Sequence, residues 1–128
     1  MSILGASVFG DLFLLRSTGE VDMLDLVAGE VKQIAACVEE FEWDVTQREK
    51  REEWLMPSLA NAAFAIGLKP GPGECLAFRT PPFLNGPLQP GNLYCLDFVA
   101  YQVGMGKILP QVLGLPPGTQ IVSLPPSA

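Results

Sequence analysis

The chain contains no histidine. That removes Ser–His and Cys–His nucleophile pairs and every histidine-built zinc site. Its three cysteines, Cys37, Cys75 and Cys95, are an odd number with no CxxC spacing. Neither a disulfide framework nor a thiolate metal site is expected from them, and they read as reduced thiols packed as small apolar groups. Bases are scarce: eight Lys and Arg stand against fourteen Asp and Glu, for a net charge of −6. Nucleic acid is therefore not an expected direct partner, because binding its phosphates needs a basic surface. No apolar run is long enough to span a bilayer, so no membrane association is expected. The opening residues carry no base, and Asp11 and Arg16 interrupt the first apolar run. No export signal is legible, and the cytoplasm is the expected compartment.

What is present points to one globular domain over residues 1–128. The length suits a single core without disulfide or metal staples, and the 48% hydrophobic content argues against disorder. The 13 glycines and 12 prolines fall mostly after Ile66, which predicts short elements joined by constrained turns there. Residues 8–15, 21–26 and 31–35 read as three strands separated by the turn signals Ser17-Thr18-Gly19-Glu20 and Ala28-Gly29-Glu30. Val38, Phe41 and Val45 share a face if residues 38–46 are helical. A charged stretch follows at 47–53. Residues 54–66 show a helical stripe at Leu55, Leu59, Ala62 and Ile66, with Pro57 marking a start or restart. Gly67 and Pro70 are the stop signal. Further strands are expected at 75–79 and, most strongly, at 94–101, whose two faces are both largely apolar. A short helix at 107–113, limited by Pro110, a turn at 115–118 and an edge strand at 119–124 complete the reading. The expected fold class is α+β: an antiparallel β-sheet packed against one main helix and one or two shorter helices.

Few residues offer chemistry. Gly71-Pro72-Gly73 is glycine-rich, but no Gly-Lys-Ser/Thr follows it, so it reads as a rigid turn. Asp25 and Asp97 sit in apolar strand patterns and form the candidate carboxylate pair. The alternative gives each a structural hydrogen bond, with Arg79 as the expected partner of a buried Asp97. The charge map is more informative. Residues 37–54 hold seven acids and three bases, −4 of the total −6. Either this is a solvated helix face, or it is a contact surface for a basic protein. Trp43 falls between Glu39 and Glu40 on a helical wheel, away from the Val38–Phe41–Val45 stripe, and a Trp among acids is a typical hot-spot composition. The candidate contact residues are Glu39, Glu40, Trp43, Asp44, Glu49, Glu52 and Glu53. No cofactor is expected.

Glu53-Trp54-Leu55-Met56-Pro57-Ser58-Leu59 is followed by Gly67-Leu68-Lys69-Pro70-Gly71-Pro72-Gly73-Glu74-Cys75. Then come Phe78-Arg79-Thr80-Pro81-Pro82-Phe83-Leu84 and Leu115-Pro116-Pro117-Gly118-Thr119. With Gly10-Asp11-Leu12-Phe13 and Leu96-Asp97-Phe98, this ordered pattern resembles the C-terminal domain of the type VI secretion immunity family. The resemblance spans roughly residues 10–121. In that family the domain commonly follows a GAD-like domain, and a named member inhibits a DNase toxin. The resemblance implies a non-enzymatic inhibitor that binds a secreted toxin. It makes Gly67, Pro70, Gly71 and Gly73 chain-reversal positions and Trp54 and Phe78 core positions. A module binding a small molecule through its Pro/Gly-rich loops is the second expectation, and a cryptic carboxylate enzyme the third.

Overall fold

The computed structural model describes residues 2–113, with side chains through residue 107. The turn and strand expected at 115–118 and 119–124 lie outside the described residues. Four strands form an antiparallel meander: β1 (Ser2–Ala6), β2 (Leu12–Leu15), β3 (Val21–Asp25) and β4 (Glu30–Ala35), in the order β1-β2-β3-β4. The helices α1 (Val38–Asp44), α2 (Arg48–Leu55) and α3 (Pro57–Ala65) follow. Then come β5 (Glu74–Phe78), β6 (Leu93–Asp97) and α4 (Phe98–Leu113). β5 and β6 form a separate two-stranded antiparallel sheet. The fold class is α+β, with two sheets where a single one was expected.

Strand alternation distributes the core. Leu12 pairs with Leu24 and Phe13 with Met23 across β2 and β3. Cross-strand partners share a face, so neighbouring residues serve opposite sides. Leu12 and Leu24 meet Leu26, Cys75, Ala77, Tyr101 and Met105 on one side. Phe13 and Met23 meet Trp54 of α2 on the other, flanked by Ile34, Phe41 and Val45. All five residues of β3 are buried in consequence. The β5–β6 hairpin likewise works on both faces. Cys75 and Ala77 look toward the meander, whereas Leu76, Phe78 and Leu93 pack on Ala60 and Ala63 of α3 and on Phe9.

Three local readings are refined or corrected. The first strand does not occupy residues 8–15. Ser7 Oγ accepts hydrogen bonds from the backbone N–H groups of Phe9 and Asp11 at 3.2 Å each, and Gly10 adopts φ +88°. This turn delays β2 to Leu12 and releases Ser2–Ala6 as a strand of its own. The stripe expected over 54–66 is divided: Pro57 restarts the helix, as expected, with Trp54 and Leu55 ending α2 and α3 beginning at Pro57. Pro57 has no N–H to donate, and Met56 turns to φ 46° between them. Glu52 bridges the break, its carboxylate accepting the Ser58 N–H at 3.0 Å. The break shifts the phase of the buried face: α3 buries Ala60 and Ala63, and Ile66 is 62% exposed.

The strand expected over 94–101 ends at Asp97, and the covered central strand is instead half of the hairpin. Asp97 is exposed, not buried, and its Oδ2 accepts the Ala100 N–H at 2.9 Å. It caps α4, whose inward residues Tyr101, Gln102 and Met105 have helical spacing. Arg79, its expected partner, lies over the Tyr94 ring at 5.2 Å. The short helix expected over 107–113 is the end of α4.

The chain reversal after α3 follows the expected glycines. Gly67 takes φ +91° and donates to Phe64 O at 3.0 Å, while Leu68 donates to Ala63 O at 3.0 Å. This pair of bonds is the Schellman cap. Gly73 takes φ +75° just before β5. Gly71 donates its N–H to the Glu74 carboxylate at 2.8 Å, and Pro70 separates these two turns.

Candidate functional site

α1 is held by its aromatic residue. The Phe41 ring lies 5.2 Å from Phe13 and 5.9 Å from Trp54, centroid to centroid. Val38 and Val45 flank it as half-buried residues. This anchor sets the rotation of a seven-residue helix, and Trp43 is thereby turned outward, 67% exposed. Glu39 and Glu40 stand one turn before it on the same face and are exposed, as is Glu42; Asp44 is half-buried. Glu39 and Glu40 occupy the first turn, where the helix dipole favours acids. The end of the helix is tied down by the Thr46 hydroxyl, which donates to the Trp43 carbonyl at 2.6 Å.

The acids of α2 are arranged differently. Glu49, Glu52 and Glu53 are exposed, but they alternate with Arg48, Lys50 and Arg51. Lys50 Nζ lies 3.5 Å from Glu53 and 5.6 Å from the centroid of the Trp54 ring. Glu52 is engaged by Ser58, whose hydrogen bonds hold its carboxyl below the usual range. α2 therefore carries no excess charge, and the −4 of this region sits on α1 alone, in Glu39, Glu40, Glu42 and Asp44. Glu42, exposed on the flank of this face, was not among the expected contact residues. Trp54, by contrast, is 2% exposed and is a core residue.

The candidate pair Asp25 and Asp97 divides into two local roles. Asp25 is buried at the end of β3 and accepts the N–H groups of Val27 at 2.9 Å and Ala28 at 3.1 Å. Lys32 Nζ lies 3.2 Å from it. It thus closes the β3–β4 turn, while Asp97 caps α4.

The carboxylate with the most perturbed environment is Asp11, 1% exposed. Its Oδ1 accepts the Leu26 N–H at 2.8 Å and its Oδ2 accepts the Ser7 hydroxyl at 2.9 Å. Burial pushes its pKa from 3.8 up to about 7; the nearby Asp25 adds to the rise, while the two hydrogen bonds and Lys32 oppose it. Beside it Gln102 donates to Gly10 O at 2.6 Å, and its Oε1 has no partner among the described residues. Ser7, Asp11 and Gln102 are all buried, so the cluster ties the 7–11 turn to β3 and α4 in the interior. The sequence offered Asp11 only as an interruption of an apolar run, because its long-range partner Leu26 is invisible locally.

Burial also raises the Cys75 thiol to about 12 and the Tyr101 phenol above its ordinary value. Cys75 is opposite Leu96, and Cys95 is opposite Leu76. The two thiols thus lie on opposite faces of the hairpin and cannot bridge to one another. Among the described residues, no group of three or more Cys, Asp or Glu is placed to hold a metal ion, and no helix is long and apolar enough to cross a membrane. A groove of about 560 Å³ lies among Val8, Phe64, Lys69, Pro70 and Glu74 and opens widely to solvent. The sequence matches no protein-family model and no curated protein.

Proposed function

We propose that this chain is a non-enzymatic binding protein that docks a basic protein through α1, with Trp43 as the anchor. The supporting observation is the composition of one fixed face. An indole 67% exposed stands among Glu39, Glu40, Glu42 and Asp44 on a helix without a single base. A large aromatic side chain left in water is offset when a partner covers it, and fully desolvated Trp residues dominate binding energies. The surrounding acids steer a basic partner and raise its association rate. The Phe13–Phe41–Trp54 aromatic cluster holds the platform in place before binding, which reduces the ordering cost of association. Neutralisation of a secreted toxin in the cytoplasm is the form of this activity that the resemblance to the type VI secretion immunity family favours.

The test is a binding titration against basic proteins encoded beside this gene, toxins first. Trp43→Ala is expected to lose on the order of 2 kcal/mol of affinity, mainly through faster dissociation. Glu39→Lys with Glu40→Lys is expected to slow association and flatten its salt dependence. If both variants bind a verified partner as tightly as the parent chain does, α1 is only a solvated face.

A further inference from the structure

β1 is the outer strand of the meander and pairs with β2 alone. Ser2, Ile3, Leu4, Gly5 and Ala6 carry neither charge nor proline, and four of these five residues are exposed. The opposite edge differs: β4 carries Glu30 and Lys32, and α1 packs beside it. An outer strand presents a row of unpaired N–H and C=O groups, and folds usually guard it with charges, prolines or a covering element. Among the described residues β1 carries no charge, proline or covering element; its guards are its five-residue length and the register slip between Ile3 and Gly5. In a chain of net charge −6, it is also a neutral place where two identical molecules meet without opposing like charges.

The strand is complementary to itself. Set antiparallel about a two-fold axis at Leu4, it places Leu4 against Leu4 and Ser2 against Ala6. Ile3 then lies opposite Gly5, where nothing stands within 4 Å of a Cβ position, so the space for the larger side chain exists. The pairing with β2 slips between Ile3 and Gly5, which leaves Leu4 without a partner on β2. We propose that two copies of this chain associate through their β1 strands, antiparallel about Leu4, joining the two meanders into one continuous sheet. The axis fits the symmetry of most homodimers, in which one patch meets itself. Five residues a side is less than a standard interface, so the association depends on concentration. It leaves the Trp43 face free and stands apart from the function proposed for it.

Light scattering across about a hundredfold range of concentration reads the association. The parent chain is expected to pass from monomer to dimer, and Leu4→Lys to remain monomeric with an unchanged circular dichroism spectrum. Leu4→Cys supplies an independent reading. Paired β residues hold their Cα atoms about 4.5–5.5 Å apart, a separation a disulfide spans. Mild oxidation should therefore convert this variant to a covalent dimer faster than Ser17→Cys, a control in an exposed turn. A parent chain monomeric throughout, a Leu4→Lys variant that still dimerises, or equal cross-linking of the two cysteine variants would each overturn the proposal.

Discussion

Replacing Asp11 by Asn tests the interior of this fold directly. The carboxyl is held at a pKa of about 7 in the folded chain, against 3.8 ordinarily. Between those values the folded state binds more protons than the unfolded state. Stability from this group is therefore fully present below about pH 4 and is lost as pH rises toward 7. The gap of about three pH units corresponds to on the order of 4 kcal/mol of destabilisation above neutrality. Asn keeps an acceptor for the Leu26 N–H, which Asp11 now meets at 2.8 Å. Its amide faces the Ser7 hydroxyl oxygen, which already accepts from Phe9 and Asp11. That crowding costs about 1–3 kcal/mol. The net expectation at pH 8 is a variant more stable than the parent by roughly 1–3 kcal/mol. Urea unfolding followed by the fluorescence of Trp54, buried in the folded state, measures both chains from about pH 5 to about pH 8. The difference between them should grow with pH by up to about 1.4 kcal/mol per unit below neutrality and then level off. Taking the difference cancels the titration of groups that do not interact with Asp11. A difference flat across this window would refute the reasoning, for it would mean that Asp11 does not titrate near neutrality.

Other expectations follow from the packing. Trp54→Ala should cost about 3–5 kcal/mol in urea unfolding, whereas Trp43→Ala should stay within about 0.5 kcal/mol, because only the first empties a core site. Gly86→Ala should be among the most damaging single changes in the described chain. A Cβ there stands 1.7 Å from the Thr80 carbonyl oxygen, so it must displace backbone, while Gly71→Ala meets only the Glu74 carboxylate oxygen at 3.4 Å; thermal melts of both variants compare them. In the native protein at neutral pH, Cys75 should be the slowest thiol to react with a disulfide reagent, since it is buried and raised to about 12, whereas Cys37 and Cys95 are half-buried. Mass mapping of the labelled cysteines reads the order.

Elements whose signal is local were legible in the sequence. The turns at Gly19 and Gly29 separate β2, β3 and β4 as their residues predict, and both glycines take positive φ. The Gly67 cap needed no more than glycine after an apolar helix and a proline beyond it. The outward turn of Trp43 followed from helical periodicity once Phe41 was taken as the inward residue. What failed had two competing local meanings. Phe98-Val99-Ala100-Tyr101 is an apolar run rich in strand-favouring types, yet Asp97 caps it into a helix, and a cap three residues from its donor is easily read as one more strand position. Acids were counted along 37–54 as one surface, although the bases of α2 confine the excess to α1. Asp11 was hidden because its partner Leu26 lies fifteen residues away, and the neighbouring Gly10 is held by Gln102, 92 residues from that glycine.

The double burial of β3 bears on how the molecule opens. Met23 belongs to the layer under α2 and Leu24 to the layer under the hairpin. Neither layer can come apart without baring one flank of this strand, so the two behave as a single cooperative unit rather than as independently fluctuating halves. The amides of β3 should accordingly exchange with solvent deuterium only through global unfolding, at the slowest rate in the described chain. Those of β1, with four exposed residues of five, should exchange by local fraying in the monomer. Amide exchange thus separates a fixed spine from a free margin within one sheet.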